Sequence, residues 1–338
     1  MQYKRLLFPE VGRVEWEDCQ LPAEPGPHEI IIQAVCSLIS IGTELALYSG
    51  THIGFTLADP PFPMMPHHPG YALVGRVLAV GSQVTNVAPG QRVLAEASHD
   101  EIAVVDNRRT TVIPLPDALN DQESTLIRLA YIALSAVRVA PVRLGESVVV
   151  YGLGLVGQFA AQLFRLNGAS PVIGIDMIPE RLQIASQLGI HTVHAGEQDV
   201  PAVVREHCRS NDPDVVIEAT GSPAVIPLAL DLVTRGGRVV LLGSTRGRVE
   251  LDVYSLIHRN GVRLLGAHES VQQLPAHASR WRKQQTMQQL AAYFAEGRLA
   301  SAGLITHTFP ASQALSIYPA LAAHPQAYLG VILDWIHA

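Results

Sequence analysis

The sequence predicts an α/β protein built from two parts, a β-rich domain and a domain with a doubly wound parallel sheet. Three observations carry that prediction. The chain has 338 residues, too many for one ordinary domain, and 48% of them are hydrophobic against 16% charged, a well-buried globular composition. Its texture changes near residue 120, where short β-rich runs give way to apolar strands alternating with helical periods. In that second stretch a glycine pattern stands where a strand meets a helix.

In the first stretch, "EIIIQAV", "GYALVGRVLAVG" and "QRVLAEA" read as strands, with turn-forming "PGPHE" and "APGQ" between them. The segment "THIGFTLADPPFPMMPHH" is Pro-rich and carries Phe55, Phe62, Met64 and Met65. It reads either as a cover for a sizeable apolar substrate or as an ordinary long connection. In the second stretch "SVVVYG" (147–152) leads into a helix, followed by "PVIGID" (171–176), "ERLQIASQLG", "DVVIEATG" (214–221), "GRVVLLGS" (237–244) and "VRLLGAH" (262–268). Continuous apolar strands separated by helical segments are what a parallel sheet covered on both faces requires. The tail supplies an amphipathic helix around "TMQQLAAYFAEG", a strand "LITHTF", another helix and a closing "YLGVILDW".

Composition excludes several classes. The net charge is −6 and no Lys or Arg run is long enough to track phosphates, so nucleic acid is not expected as a partner. The apolar stretch "SVVVYGLGLVGQFAAQLF" is broken by glycines and glutamines and reads as strand, turn and helix, so no membrane span is expected. A Lys-Arg pair near the start has no apolar run after it, so a cytoplasmic location is expected. Cys19, Cys36 and Cys208 stand far apart without a C-x-x-C pair, which argues against a disulfide framework and a four-cysteine zinc site.

The sharpest motif is "GLGLVG", with Gly152, Gly154 and Gly157 around Leu155 and Val156. The first glycine permits a tight turn, the second lets backbone approach a pyrophosphate, and the third lets helix pack on strand. The phosphates then lie at a helix N-terminus. The next strand ends in Asp176, roughly twenty residues on, where a carboxylate accepts hydrogen bonds from ribose hydroxyls and repels a 2′-phosphate. NAD is therefore the expected cofactor. Arg181 reads either as a residue packed on the adenine or as a solvated helix residue.

"SIGTELALYSG", "PGYALVGRVLAVG", "VAPGQRVL", "GLGLVG" and "DVVIEATGS" occur in the order found in the medium-chain dehydrogenase/reductase superfamily, which the sequence resembles over essentially its whole length. The resemblance implies a discontinuous GroES-like catalytic domain (1–133 and 269–338), a Rossmann NAD-binding domain (134–268) and an active cleft between them. In the superfamily's zinc-dependent members a cysteine directly precedes "GTE", and His-Glu follows the glycine matching Gly70. This chain has Ile41 there, and then Tyr71-Ala72. The third ligand position falls near Ile127 or Arg128, and the four-cysteine lobe is absent. An alkyl chain and a guanidinium offer no lone pair and a neutral phenol is a poor ligand, so the expected enzyme is zinc-independent. The pattern is similar to the bacteriochlorophyllide a dehydrogenase branch.

Adjacent His67 and His68 leave a relocated metal as an alternative. Neighbouring strand side chains point to opposite faces, however, so the favoured reading places one of them, His68, at the substrate pocket. Without zinc, Tyr71 is the first candidate to hydrogen-bond the carbonyl and exchange its proton, its alternative being a packed pocket tyrosine. Thr43 matches the position whose hydroxyl passes a proton, or else holds the turn. Glu44 is expected to orient the site, and Ala46 stands where a relay histidine often sits. The resemblance puts Thr220, Gly221, Leu242, Gly243, Ser244, Ala267, His268 and Tyr131 near the nicotinamide.

The expected activity is hydride transfer between NAD(H) and a secondary alcohol or ketone, on a small-molecule substrate. Two other readings stand beside it: a quinone or enoyl reductase, against which Asp176 speaks, and an NAD-binding sensor without turnover. A homodimer, commonly formed by pairing "VRLLGAH" across a twofold axis, is implied by the family.

Overall fold

A computed structural model describes residues 2–56, 64–208, 211–270 and 279–337, with the side chains of 279–282 left aside. Phe62 and part of the Pro-rich segment therefore lie outside the described residues. The chain divides into two compact units, one comprising Met1–Arg128, Ala278–Gly297 and Gly303–Ala338, the other Leu129–His277 and Arg298–Ala302. The division at 128/129 differs by a few residues from the expected 133/134, and it falls inside a continuous helix, where residue periodicity gives no signal.

In the first unit, β1 (Gln2–Leu7) and β2 (Glu15–Gln20) form an antiparallel pair. A seven-stranded sheet follows, from β3 (Glu29–Ile39), β4 (Leu73–Val80), β5 (Arg92–Ala95), β6 (Ile102–Asp106) and β7 (Val112–Pro114), with β14 (His307–Pro310) and β15 (Val331–Asp334) returning from the tail. Its order is β14-β15-β3-β4-β5-β7, with β6 on β3. β3 is buried along most of its length, which explains why "EIIIQAVCSLI" is apolar without strict alternation. Gly75 on β4 is required by close approach, since a Cβ there would lie 2.3 Å from the Gln33 carbonyl oxygen. After β3 comes α1 (Ile41–Tyr48). α2 (Asp121–Thr125) is capped by the Asn120 side chain, which accepts from the Glu123 N–H, and α3 (Ile127–Val139) leads out of this unit. From the tail come α8 (Ser279–Ala295), which begins about two turns earlier than the sequence suggests, and α9 (Ala314–Ala323).

The second unit carries the parallel sheet, from β8 (Val148–Tyr151), β9 (Val172–Asp176), β10 (His191–His194), β11 (Val215–Glu218), β12 (Arg238–Leu241) and β13 (Arg263–Gly266). Their order is β10-β9-β8-β11-β12-β13, and every pairing is parallel. This is the doubly wound Rossmann order, whose direction reverses between β8 and β11. Ligands bind at the carboxyl ends of strands at such a switch point. The connecting helices are α4 (Leu155–Leu166), α5 (Pro179–Gln187), α6 (Val200–His207) and α7 (Val225–Leu232). Short β10 has only Val193 fully buried, so its "HTVH" gives little apolar signal. Among the described residues no helix is long and apolar enough to cross a membrane.

Candidate active site

In the second unit, the loop after β8 makes a cradle for a dinucleotide. Gly152 has φ +89°, and a Cβ on it would meet Thr220 at 2.8 Å. A Cβ on Gly157 would lie 1.9 Å from the Gly152 carbonyl oxygen, so helix α4 can approach the turn only without a side chain there. Gly154, the N-cap of α4, has nothing within 4 Å of the same position. The space before it is open at a helix N-terminus, where the backbone N–H groups of Leu155 and Val156 begin the helix. This geometry fits a pyrophosphate.

Asp176 closes β9 and is held by backbone: Oδ2 accepts from Leu153 N at 2.7 Å, and Oδ1 accepts from Met177 N at 2.7 Å and Ile178 N at 3.0 Å. Three of roughly four lone-pair sites on the carboxylate are thus used, leaving capacity for a ribose hydroxyl. Arg181 Nη1 lies 4.0 Å from Asp176 Oδ2; burial lowers its pKa and Asp176 pulls it back up.

At the other side of the switch point, Glu218 organises the loop after β11. Its Oε1 accepts from Thr220 N at 2.6 Å, from Gly221 N at 2.9 Å and from the Thr220 hydroxyl. Burial pushes its carboxyl pKa up. Gly221, Leu242 and Gly243 sit close together: a Cβ on Gly221 would be 2.7 Å from the Ser244 oxygen, and Gly243 N donates to Glu218 O at 2.8 Å. Ala267 is buried, its N–H bonded to Leu241 O and its carbonyl accepting from Ser135 Oγ at 2.6 Å, whereas His268 is exposed beside Ser270. Tyr131 requires a correction. It is 1% exposed, so its ring packs in the interior instead of facing a ligand.

In the first unit, Tyr71 sits in a cluster of hydroxyls. Its phenol donates to Ser40 Oγ and is also hydrogen-bonded to Thr43. The guanidinium carbon of Arg128 stands 5.0 Å from the centre of its ring. Burial raises the phenol pKa, and Arg128, Ser40 and Thr43 oppose that rise only in part. The phenol is therefore protonated at neutral pH.

Beneath this cluster Glu44 is 1% exposed. Its Oε1 accepts from Ser40 N at 2.8 Å, so the carboxylate caps α1 where the Ser40 side chain does not. Its Oε2 accepts from Tyr318 OH at 2.5 Å and lies 3.0 Å from His99 Nε2. His99 Nδ1 is 2.8 Å from Ser37 Oγ, which accepts from Trp335 Nε1 at 2.9 Å. An indole N–H only donates, so with a neutral imidazole the donors run in one direction: Trp335 to Ser37, Ser37 to His99, His99 to Glu44. Burial alone would raise the Glu44 pKa, but His99, Tyr318 and the Ser40 N–H bring it below the usual carboxylate value. Glu44 thus ties the start of α1 to His99 and Tyr318.

His68 stands apart from this cluster. Its Nε2 pairs with Glu17 Oε2 at 2.9 Å, across to β2, which corrects its expected place at the substrate pocket. Burial lowers the pKa of the neighbouring half-buried His67, which the Glu44 charge opposes. Burial pushes the Cys36 and Cys208 thiols up, which leaves neither as a nucleophile.

The three positions that the resemblance assigns to zinc ligands do come together. Ile41 adjoins Ser40, Ser40 bonds Tyr71, and Arg128 covers the Tyr71 ring. An alkyl chain, a protonated phenol and a guanidinium do not fit a zinc ion. Among the described residues no group of three or more His, Cys, Asp or Glu is placed to hold a metal.

A family model described as "Alcohol dehydrogenase GroES-like domain" matches residues 26–113, and one described as "Zinc-binding dehydrogenase" matches 156–291. The chain is 25% identical over 264 residues to sorbitol dehydrogenase of Bacillus subtilis, covering 69% of this chain and 73% of that protein. Solved structures share the fold. A protein of Sinorhizobium meliloti described as a zinc-binding dehydrogenase, bound to NADP, has a TM-score of 0.80 at 21% identity, covering 99% of each chain. An alcohol dehydrogenase of Escherichia coli complexed with NADH has a TM-score of 0.81 at 19% identity, covering 98% of this chain and 99% of the other. With the two models following one another in the order of the two folds, the chain belongs to the medium-chain dehydrogenase/reductase superfamily.

Proposed function

We propose that the protein is a zinc-independent, NAD(H)-dependent oxidoreductase interconverting a secondary alcohol and its ketone. The observation that carries this reading is the protonated Tyr71 phenol, held by Ser40 and Thr43 where zinc-dependent relatives keep a metal ligand. The relatives named for acting on polyols and alcohols support the reaction class, and those solved with NADH or NADP support a nicotinamide cofactor. Asp176 favours NAD, because its buried carboxylate opposes a 2′-phosphate. The similarity to the bacteriochlorophyllide a dehydrogenase branch points to a bulky substrate. A cytoplasmic homodimer joined through β13 completes the reading.

A bound nicotinamide supplies the hydride for reduction and accepts it in oxidation. Tyr71 donates a hydrogen bond to the carbonyl oxygen and releases its proton to that oxygen as the carbon gains the hydride. The alcohol leaves neutral and a phenolate remains. Ser40 and Thr43 hydrogen-bond that phenolate, and half-exposed Thr43 returns a proton from solvent. Glu44 and its partners keep the first turn of α1, and so both hydroxyls, in place.

The test is metal analysis of the purified protein together with fluorescence titration by NADH and NADPH. Metal below about a tenth of an equivalent, with tighter NADH binding, is the expected result. A full equivalent of tightly held zinc overturns the zinc-free mechanism.

A further inference from the structure

We propose that His99 is a positioning residue for Tyr71: one imidazole fixes both the segment that carries the phenol and the hydroxyl to which the phenol is bonded. The inference rests on the reading of Tyr71 as the acid.

Tyr71 and Ser40 stand just beyond the point where backbone pairing joins their segments. The β3–β4 ladder reaches Leu38 N, which donates to Ala72 O at 3.0 Å. From there Ser40 leads into α1, and Tyr71 follows the turn at Gly70. His99 is fully buried and touches both sides. On the Tyr71 side its N–H donates to Pro69 O at 2.8 Å. Gly70 has φ +99°, and a Cβ there would lie 2.7 Å from His99 N and 2.9 Å from ring atoms Cγ and Cδ2, so the backbone next to Tyr71 rests directly on the imidazole. On the Ser40 side the ring's Nε2 is 3.0 Å from Glu44 Oε2, and Glu44 Oε1 accepts from Ser40 N at 2.8 Å. The path from Gly70 through His99, Glu44 and Ser40 comes back to the Tyr71 hydroxyl, so it closes on the residue next to its start.

His99 is itself held on every side. Leu6 N donates to its carbonyl at 3.0 Å. Ser37 Oγ accepts from Trp335 Nε1, which turns the serine proton to His99 Nδ1 and leaves the imidazole proton on Nε2, facing Glu44. The charged and titratable groups around the ring are Glu44, with Tyr318 on its Oε2, and Asp100, which pairs with Arg5. With its backbone, both ring nitrogens and the Cγ–Cδ2 edge engaged, the imidazole has one orientation, and a satisfied buried network of this kind rigidifies what it touches. Misplacing a reacting group by about 1 Å costs on the order of 10²-fold in rate. His99 therefore acts without touching substrate, by keeping the phenol and Ser40 in one geometry.

The experiment compares wild type, Tyr71→Phe, His99→Gln and His99→Asn, each confirmed folded by circular dichroism. A glutamine amide nitrogen reaches the place of Nε2 and still donates to Glu44, whereas an asparagine amide stops at the distance of Nδ1. The protein is labelled at the tyrosine ζ-carbon, whose NMR shift follows hydrogen bonding of the phenol, and the Tyr71 signal is the one absent from Tyr71→Phe. Ketone reduction, NADH affinity and urea midpoint are measured alongside. His99→Asn is expected to move the Tyr71 signal and to lower kcat about tenfold or more, with NADH affinity unchanged. His99→Gln is expected to bring both back near the wild-type values. A merely structural role moves the urea midpoint and leaves the Tyr71 signal in place. That result, or a glutamine variant as impaired as the asparagine one, overturns the inference. If His99→Asn does not fold, Ser37→Ala, which removes the hydroxyl that directs the imidazole proton, takes its place with the same expected shift, and an unmoved signal overturns the inference there too. Should Tyr71→Phe retain full activity, the reading of the acid fails, while the Tyr71 signal in the His99 variants still decides the positioning.

Discussion

Tyr71 is where chemistry and local structure meet most directly. Replacing it with Phe removes the proposed proton donor and is expected to lower kcat for ketone reduction by about 10²–10⁴-fold, leaving NADH affinity as it was. Because burial raises the phenol pKa, the acid form persists through neutral and mildly basic solution. Reduction is then supported below that raised value and fades as pH climbs through it, while alcohol oxidation gains over the same range. A pH profile of kcat in both directions reads this sign. Glu44 is expected to behave differently. Its carboxyl pKa is depressed, so the stability it contributes is present above the unfolded value of about 4.3 and disappears as pH falls through the folded one. Glu44→Gln keeps one acceptor oxygen but replaces the other with a donor facing the Ser40 N–H or the Tyr318 and His99 donors, and is expected to cost about 1–3 kcal/mol in urea melts. Tyr71, Thr43 and Glu44 were legible because each sits at a recognisable position in a short motif. Ser37, His99, Tyr318 and Trp335 were not. They reach Glu44 or one another from 55 to 298 residues away along the chain, and no local pattern announces that pairing.

At the scale of the element, the β8–α4 turn separates two roles that glycine plays. Gly157→Ala forces a methyl to within 1.9 Å of the Gly152 carbonyl oxygen, so it is expected to destabilise the unit and abolish cofactor binding together. Gly154→Ala meets nothing within 4 Å, so the apo protein is expected to melt as before while NADH affinity falls at least tenfold. Calorimetric melts and fluorescence titration of both variants check the contrast. The long apolar strands β8, β9, β11 and β12 were readable for the reason that they are buried on both faces and so carry a continuous hydrophobic signal. Strand β10 went unread, since "HTVH" offers one buried side chain and gets its place from pairing with β9. Glu218 had a faint signal as an acidic residue ending an apolar strand, as Asp176 does on β9, and its loop-organising bonds explain its presence there.

For the whole molecule, binding and stability are linked. NADH at a hundred times its Kd is expected to add about 2.7 kcal/mol to the unfolding free energy of the unit that binds it, and the same concentration of NADPH less. Melting temperatures with each cofactor, repeated after incubation with a chelator, test both the cofactor preference and the absence of a required metal. The proposed homodimer has its own check. Strand β13 pairs only with β12 among the described residues and exposes Leu264, so its outer edge has backbone groups available for a second copy. Light scattering is expected to give twice the chain mass, and Leu264→Pro, which removes an N–H from that edge, is expected to halve it.

The buried chain from Trp335 through Ser37 and His99 to Glu44 also bears on how the protein is made. Residues 37–44 are synthesised well ahead of their partners: the indole that completes their hydrogen bonding is 298 positions behind Ser37, and the Tyr318 hydroxyl is 274 behind Glu44. Until those arrive, a carboxylate and an imidazole destined for the interior lack their remaining donors, and the helix bearing Thr43 has no settled start. The helix bearing Thr43 gains its last partners only after residues far behind it have been made, so a nascent chain stalled before residue 318 should bind cofactor, through its already complete parallel sheet, well before it can turn substrate over.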